Sequence, residues 1–183
     1  MIYPIVVAGH PVLRTKAQEI DSTYTDLKQL VEDMFETMYV SDGVGLAAPQ
    51  IGKAIRLFVI DAEPLAEDNP ELRNFKKVFV NPIIIEESGE EWLFNEGCLS
   101  VPGIREDVLR KSIVKIKYFD ENWQQHQDVF DGIKARIIQH EHDHLEGVLF
   151  TDRLSFLKKK MIKGKLTDIS KGKVDVSYNI RIK

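Results

Sequence analysis

Residues 140–144, His-Glu-His-Asp-His, place the narrowest structural requirement on this chain of 183 residues. They contain the pattern His-Glu-x-x-His, and His140 and His144 can bind one metal ion when the segment is an α-helix, since residues four apart project from the same face. Glu141 then lies beside the ion, where a base for a metal-bound water is needed. His142 is turned about 200° away from His140. The sequence therefore predicts a helix with a two-histidine metal site on one face, and His142 is left out of that site.

The third protein ligand has to come from upstream. In one class of zinc peptidase it would be a histidine at position 150, but this chain has Phe150, and Glu146 is its last glutamate. Cys98 is the strongest candidate, because a thiolate binds borderline and soft divalent metals well and the cysteine lies in a glycine-flanked, turn-like segment. His10 and His126 are rivals, and both are predicted to be exposed.

Composition narrows the classes of protein that the chain can belong to. Hydrophobic residues make up 43% and charged residues 30%, which predicts one folded domain over residues 1–183. The single cysteine cannot form an internal disulfide. A net charge of −4 argues against DNA as the main ligand. No secretory signal and no apolar stretch of roughly 20 residues is seen, so we expect a cytoplasmic protein that does not enter a membrane.

Apolar periodicity predicts an α+β fold with helices and strands in separate runs. The predicted helices are 27–38, with Asp26 as the amino-terminal cap, then Phe130–Val148 and a basic helix over Leu154–Lys163. The predicted strands are Ile55–Ile60, Val78–Val80, Ile83–Ile85, Ile113–Phe119 and Val174–Ile182. The polar segment Glu63–Asn74 is predicted to be a long surface loop.

Residues 43–50, Gly-Val-Gly-Leu-Ala-Ala-Pro-Gln, are a third segment that could contribute to a binding or catalytic site. Glycine and alanine allow the backbone to approach a ligand closely, and Gln50 offers an amide donor to a developing oxyanion. A glycine-capped connection between a helix and a strand would also explain most of this segment.

Taken together, GVGLAAPQ at 43–50, EGCLSVP at 96–102 and QHEHDHLEG at 139–147 resemble, in order and spacing, the three signature segments of the peptide deformylase family. The resemblance implies an α+β fold with mixed, mostly antiparallel strands around a central helix that carries the histidines. It also implies removal of the formyl group from the N-terminal formylmethionine of nascent bacterial polypeptides, with release of formate.

By motif position, the resemblance implies that Cys98, His140 and His144 bind the metal. It implies attack by metal-bound hydroxide with Glu141 as the general base, and an oxyanion hole formed by Gln50 and the backbone N–H of Leu99. Gly45 would contribute a backbone contact to the substrate. The resemblance implies Fe(II) as the working ion. One thiolate and two imidazoles bind the later divalent metals more tightly than iron, so the purified protein can contain Zn, Ni or Co.

The methionine side chain needs an apolar pocket, and Val44, Ile133 and Ile137 are candidates for its walls, since the two isoleucines share the His140 face. Plain core packing explains Ile133 and Ile137 equally well. Arg105 is a candidate for holding the peptide backbone beyond methionine, with a solvated loop arginine as the alternative.

Charged partners should orient the metal-binding helix. We predict that Arg110 or Arg105 pairs with Glu96 or Asp143.

The expected partners are N-formylmethionyl nascent peptides, and the protein is expected to be a monomer. A ribosome contact through the lysines of 158–165 is a further hypothesis. Two other functions use the same helix: a peptidase whose site does not depend on Cys98, and a metal-stabilised binding module whose ion is fully ligated.

Overall fold

The computed structural model describes residues 1–182, and in that range it has seven strands and three α-helices. The strands are β1 (Ile5–Val6), β2 (Gly45–Ala47), β3 (Leu57–Asp61), β4 (Lys76–Gly97), β5 (Arg105–Phe119), β6 (Gln125–Asp131) and β7 (Ile180–Arg181). The helices are α1 (Leu27–Val40), α2 (Gly132–Leu145) and α3 (Phe156–Ser170). None of these helices has the length and apolar character that crossing a bilayer requires. The domain predicted over 1–183 includes residue 183, which lies outside the described range.

Five strands form one antiparallel sheet in the order β2-β3-β4-β5-β6. The remaining two, β1 and β7, form a separate parallel pair in which Ile5 lies opposite Ile180. The fold is therefore α+β and mostly antiparallel, as the sequence predicts.

Helix α2 follows β6 without a connecting loop. The strand ends at Asp131 and the helix begins at Gly132, whose φ of +54° allows the sharp change of direction. Ala135, Ile138 and Leu145 are buried in one cluster with apolar side chains of β2, β3, β4 and β5. This packing holds α2 against the sheet and fixes the position of residues 140–144 in its second half.

Helix α1 matches its predicted span, but its predicted cap is wrong. Asp26 has a left-handed backbone with φ of +61°, and its side chain makes no capping hydrogen bond. Gln29 instead donates to Asp33 one turn further on, at 2.9 Å. The helix is stabilised mainly by its buried apolar face, which packs in a second cluster with β2 and β3.

The predicted strands are correct in place and wrong in length. Val78–Val80 and Ile83–Ile85 belong to the single strand β4, because the register shift at Asn81 and Pro82 is a bulge within the strand and not a break. The prediction over Ile113–Phe119 covers only the second half of β5. At the carboxy-terminal end, Val174–Ile182 contains only the two-residue strand β7.

Both ends of α2 and of α3, and one loop, also differ from the predictions. Phe130 and Asp131 belong to β6, so α2 starts later than predicted, and it ends at Leu145. Helix α3 begins at Phe156 and runs on to Ser170. The segment Glu63–Asn74 contains two short 3₁₀ turns, and Leu72 is fully buried in the core. This segment is therefore packed against the domain and is not simply a surface loop.

Candidate active site

Three potential metal ligands lie close together at the second half of α2. His140 and His144 lie one turn apart with ring centroids separated by 5.2 Å, and Cys98 follows the end of β4. The Sγ atom of Cys98 lies 3.3 Å from Nε2 of His144. One donor atom from each of the three residues lies within 4.8 Å of the others. The structure thus brings together the three side chains that the sequence indicates as ligands.

The charges inside this cluster favour a thiolate. Burial acts to raise the pKa of Cys98, but His144 and His140 outweigh it and lower that pKa to about 5. Burial likewise acts to lower the pKa of His140, but its hydrogen bonds with Cys98 and Glu96 raise that pKa well above its ordinary value. Cys98 can therefore offer an ionised sulfur at neutral pH.

A network of charges lies behind His140, and we call it the Glu96 network: Glu96, Arg110, Arg136, Asp143 and Arg153. Its members are buried except Arg153, which is exposed. Oε2 of Glu96 lies 2.9 Å from Nδ1 of His140, which leaves Nε2 of that ring to face the cluster. Arg110 donates to both Glu96 oxygens at 2.7 and 3.0 Å and to Asp143 at 2.8 Å. Burial acts to raise the pKa of Glu96, but His140 and Arg110 hold it well below its ordinary range. The network fixes one ring and keeps its carboxylates ionised.

The Arg110 prediction is confirmed and the Arg105 alternative is wrong. Arg105 donates to the side chain and the backbone carbonyl of Asn95, both at 2.9 Å. Arg136 and Arg153 were missed by sequence reasoning, although Arg136 precedes His140 by one helical turn and that spacing was a usable signal. Arg136 donates to Glu96 at 3.0 Å, and Arg153 donates to both oxygens of Asp143.

Glu141 is buried beside the cluster with an unused oxygen. The residue is 4% exposed, and its Oε2 atom has no hydrogen-bond partner among residues 1–182. Burial raises the pKa of Glu141 to about 7, against the opposing effect of His140 and His144. The carboxylate sits against the backbone of Gly45, where a Cβ atom would lie 2.8 Å from the Glu141 carboxyl carbon. A side chain at position 45 would therefore have to displace the Glu141 carboxyl group.

Gln50 and Leu99 both lie next to Cys98. The Oε1 atom of Gln50 accepts from the N–H of Ala47 at 2.9 Å, and its Nε2 atom lies 3.4 Å from Sγ of Cys98 and 3.2 Å from Oγ of Ser100. No acceptor within residues 1–182 takes the backbone N–H of Leu99. Two N–H donors are thus placed next to the metal ligands.

A cavity of about 720 Å³ opens onto Glu141, Cys98 and His140. All five residues predicted to contact the substrate line it, namely Val44, Gly45, Arg105, Ile133 and Ile137. Sequence reasoning missed two other parts of its wall: Leu65 in the 63–74 segment and residues 175–178 after α3.

The other histidines lie outside the cluster. His142 lies 3.3 Å from Arg56, and burial together with that guanidinium lowers the pKa of His142 to about 4. His10 accepts from the N–H of Val12, and His126 lies 2.9 Å from Asp120. Both are half-buried, so the prediction that they are exposed is wrong.

The donor set fits a divalent ion of the first transition series, because it combines one ionisable sulfur with two imidazole nitrogens. The unpartnered oxygen of Glu141 beside it is what a proton-accepting group requires. A helix-borne cluster of this kind at the base of a cavity defines the class: a metal-dependent hydrolase.

Comparison with known proteins gives the family. The family model for polypeptide deformylase matches residues 2–160. The chain is 53% identical to the peptide deformylase of Christiangramia forsetii, covering 99% of this chain and 96% of the relative, and 52% identical to that of Cytophaga hutchinsonii, covering 99% and 97%. The crystal structure of the Thermotoga maritima peptide deformylase superposes with a TM-score of 0.76 at 41% identity, covering 85% of this chain and 99% of that one. The chain belongs to the polypeptide deformylase family.

Proposed function

We propose that Cys98, His140 and His144 hold one divalent metal ion and that Glu141 is the general base of the hydrolysis. The reaction itself is metal-dependent removal of the N-terminal formyl group from nascent peptides. The observation that supports these roles is the position of an unpartnered, buried Glu141 carboxylate beside a cluster of one sulfur and two imidazole nitrogens.

When bound, the ion acts as a Lewis acid and lowers the pKa of a coordinated water. Glu141 takes a proton from the attacking water as the new C–O bond forms at the formyl carbon. The same carboxyl group then returns the proton to the nitrogen as the C–N bond breaks. Formate and a free amino terminus result.

Two donors are proposed to stabilise the developing oxyanion: Nε2 of Gln50 and the N–H of Leu99. Both lie next to Cys98, and Gln50 is buried away from bulk water, where such donors are most effective. Ser100 orients Gln50 by accepting from the same amide nitrogen at 3.2 Å.

The rest of the cavity is proposed to bind the formylated residue. Val44, Ile133 and Ile137 supply apolar walls for the methionine side chain, and the backbone of Gly45 contacts the substrate. Arg105, exposed at the rim and held by Asn95, is placed to contact the peptide beyond methionine.

Fe(II) is proposed as the ion in the cell, and Zn, Ni or Co as substitutes in purified protein. The ligand set accepts all four metals. A ferrous ion beside a thiolate is sensitive to oxygen. Activity of anaerobic, iron-loaded protein should therefore exceed that of the zinc form and decay in air, and equal, air-stable turnover by both forms would refute Fe(II).

We further propose that residues 1–183 act as one catalytic domain, as a monomer, in the cytoplasm, with no DNA or membrane partner. Helix α3 supports the proposed ribosome contact because four of its lysines are exposed: Lys159, Lys160, Lys163 and Lys165. Lys158 is already paired with Glu106 at 2.7 Å, which weakens its part in that contact. Unchanged ribosome binding after charge reversal of the exposed lysines would refute the contact.

One assay tests the function: formate release from formyl-Met-Ala, with acetyl-Met-Ala and unformylated Met-Ala as controls. Formate from the first substrate alone supports the proposal. Cleavage between the residues of unformylated peptides would instead indicate a peptidase, and the absence of turnover in a metal-replete protein would indicate a binding module.

A further inference from the structure

The segment after α3 belongs to the wall of the active-site cavity. Residues 175–178 line it together with two of the proposed metal ligands, Cys98 and His140, although the match to the family model ends at residue 160. The segment leads into β7, which holds it in place by pairing with β1. Tyr178 is the residue of this segment that contacts the proposed oxyanion site.

The hydroxyl of Tyr178 donates a hydrogen bond of 2.8 Å to the backbone carbonyl of Leu99. The ring is half-buried and packs in the same apolar cluster as the Leu99 side chain. Tyr178 is therefore linked to Leu99 directly through its hydroxyl, and it does not need to touch substrate to influence this residue.

Three consecutive carbonyls around Leu99 are all held by hydrogen bonds. The carbonyl of Cys98 accepts from the N–H of Val101 at 2.9 Å, and that of Ser100 accepts from the N–H of Ala8 at 2.8 Å. The Cys98 carbonyl and the Leu99 N–H belong to one planar peptide group, so fixing the carbonyl fixes the direction of the N–H. Tyr178 holds the next peptide group, on the other side of the Leu99 Cα.

The Leu99 N–H itself is left without an acceptor within the described residues. A rigid backbone with one free N–H is what transition-state stabilisation by a fixed dipole requires, because no reorganisation is then needed as charge develops. Removing one of the hydrogen bonds that hold this backbone should loosen the donor without removing it.

We infer that Tyr178 is a positioning residue for the hydrolysis: its hydroxyl holds the Leu99–Ser100 peptide group and, through the Leu99 Cα, keeps the neighbouring Leu99 N–H directed at the oxyanion. The inference rests on the proposed function of Leu99. Since the oxyanion forms only in the transition state, the hydroxyl contributes to kcat and not to ground-state binding.

The test is Tyr178→Phe, which removes the hydroxyl and keeps the ring in the cavity wall. Tyr118→Phe is the matched control. Tyr118 lies on β5, outside the cavity wall, and its hydroxyl also makes one hydrogen bond, of 2.7 Å to Asp128.

For formyl-Met-Ala-Ser, Y178F should lower kcat about tenfold, less than the 10²–10³-fold loss on deleting an oxyanion donor. KM, affinity for the product Met-Ala-Ser and metal content should change less than about twofold. Y118F should leave kcat unchanged.

Hydrogen exchange of the Val101 amide, which is bonded to the Cys98 carbonyl at 2.9 Å, gives a second, activity-independent measurement of this backbone. The exchange should be faster in Y178F than in the wild-type protein, with core amides elsewhere unaffected. A kcat within twofold of wild type, or unchanged Val101 exchange, overturns the inference, as does a parallel loss of kcat and product affinity. If the wild-type protein released no formate, the proposed function would fail, whereas the exchange measurement would still report whether Tyr178 holds Leu99.

Discussion

The two sides of His140 are built in opposite ways. Behind it, in the Glu96 network, both carboxylate oxygens of Glu96 and both of Asp143 accept hydrogen bonds from arginine or histidine. In front of it, on the cavity side, Oε2 of Glu141 and the N–H of Leu99 have no partner within residues 1–182. Glu96, Asp143 and Glu141 are all buried, so the contrast between these carboxylates does not come from solvent access.

The contrast separates groups that hold the site from groups that react. A buried polar atom without a partner costs about 1–3 kcal/mol. The structure accepts that cost at Oε2 of Glu141 on the cavity side and at Nε of Arg136 within the Glu96 network. The fully bonded carboxylates behind the ligands fix α2 and the ring of His140. Substitutions in the two regions should therefore fail in different ways.

The largest effect is expected where the two regions meet, at Cys98. Cys98→Ala should lose the metal and reduce formate release to background, because two imidazoles do not retain the ion as three ligands do. Metal-to-protein ratio and formate release measure the two losses. A fully active, metal-replete variant would require another third ligand.

On the cavity side, Glu141→Gln should lower kcat by about 10²–10⁴-fold, the usual contribution of a general base. The metal content should stay at the wild-type level, since Glu141 is not a ligand. Steady-state kinetics on E141Q protein of measured metal content tests this prediction. If E141Q lost metal in proportion to its activity, Glu141 would have a structural role and not that of a base.

Gly45→Ala should lower kcat/KM by up to about 10²-fold, because a Cβ atom would displace the Glu141 carboxyl group and small misplacements of a reacting group are costly. Gly164→Ala is the control, since position 164 on α3 has open space around it. Wild-type kinetics in G45A would show that the close approach has no catalytic consequence.

Glu96→Gln tests the opposite region. It should weaken metal binding about 10–100-fold by freeing the His140 ring, and lower the free energy of unfolding by about 3–5 kcal/mol, because buried arginines lose their carboxylate. Glu106→Gln, which breaks the exposed pair with Lys158, should cost less than about 1 kcal/mol. Metal titration and denaturant unfolding measure both effects in E96Q and E106Q. If the two variants lost metal affinity and stability equally, the buried network would contribute no more than an exposed ion pair.

The smallest effect concerns pH. Burial raises the pKa of Glu141 from 4.5 to about 7, and a cation at the ligand cluster would lower it again. Protonated Glu141 cannot accept a proton, so kcat/KM should fall as pH decreases, with an apparent pKa between about 4.5 and 7. The same acidic limb in the residual activity of E141Q would assign it to another group.

The ligand set was predictable because its chemistry is local and scarce. The helical spacing of His140 and His144 defines one face, and Cys98 is the only sulfur ligand of its kind in the sequence. The Arg110 pair followed from the cost of leaving Glu96 or Asp143 unpaired in the interior. Arg136, one helical turn before His140, had a usable signal in its spacing. Arg153 needed the fold, because nothing in its sequence context distinguishes it from the other surface cations.

The long hairpin of β4 and β5 was missed over residues 86–97 and 105–112 for a different reason. Much of β4 in this stretch is polar on both faces, so no apolar alternation is present, and the two strands are held by backbone pairing. Strand β6 has the same weakness as a signal. Tyr178 was out of reach because its partner Leu99 is 79 positions away.

The pairing of β1 with β7 orders the events of folding. The five-stranded sheet and the metal ligands lie between residues 45 and 144, whereas β1 cannot pair until residues near 180 have been synthesised. Closing so long a loop is entropically costly and comes late. A growing chain can therefore assemble its metal ligands before Ala8 and Tyr178 fasten the backbone around Leu99. A newly synthesised chain should therefore bind metal before it reaches its full catalytic activity.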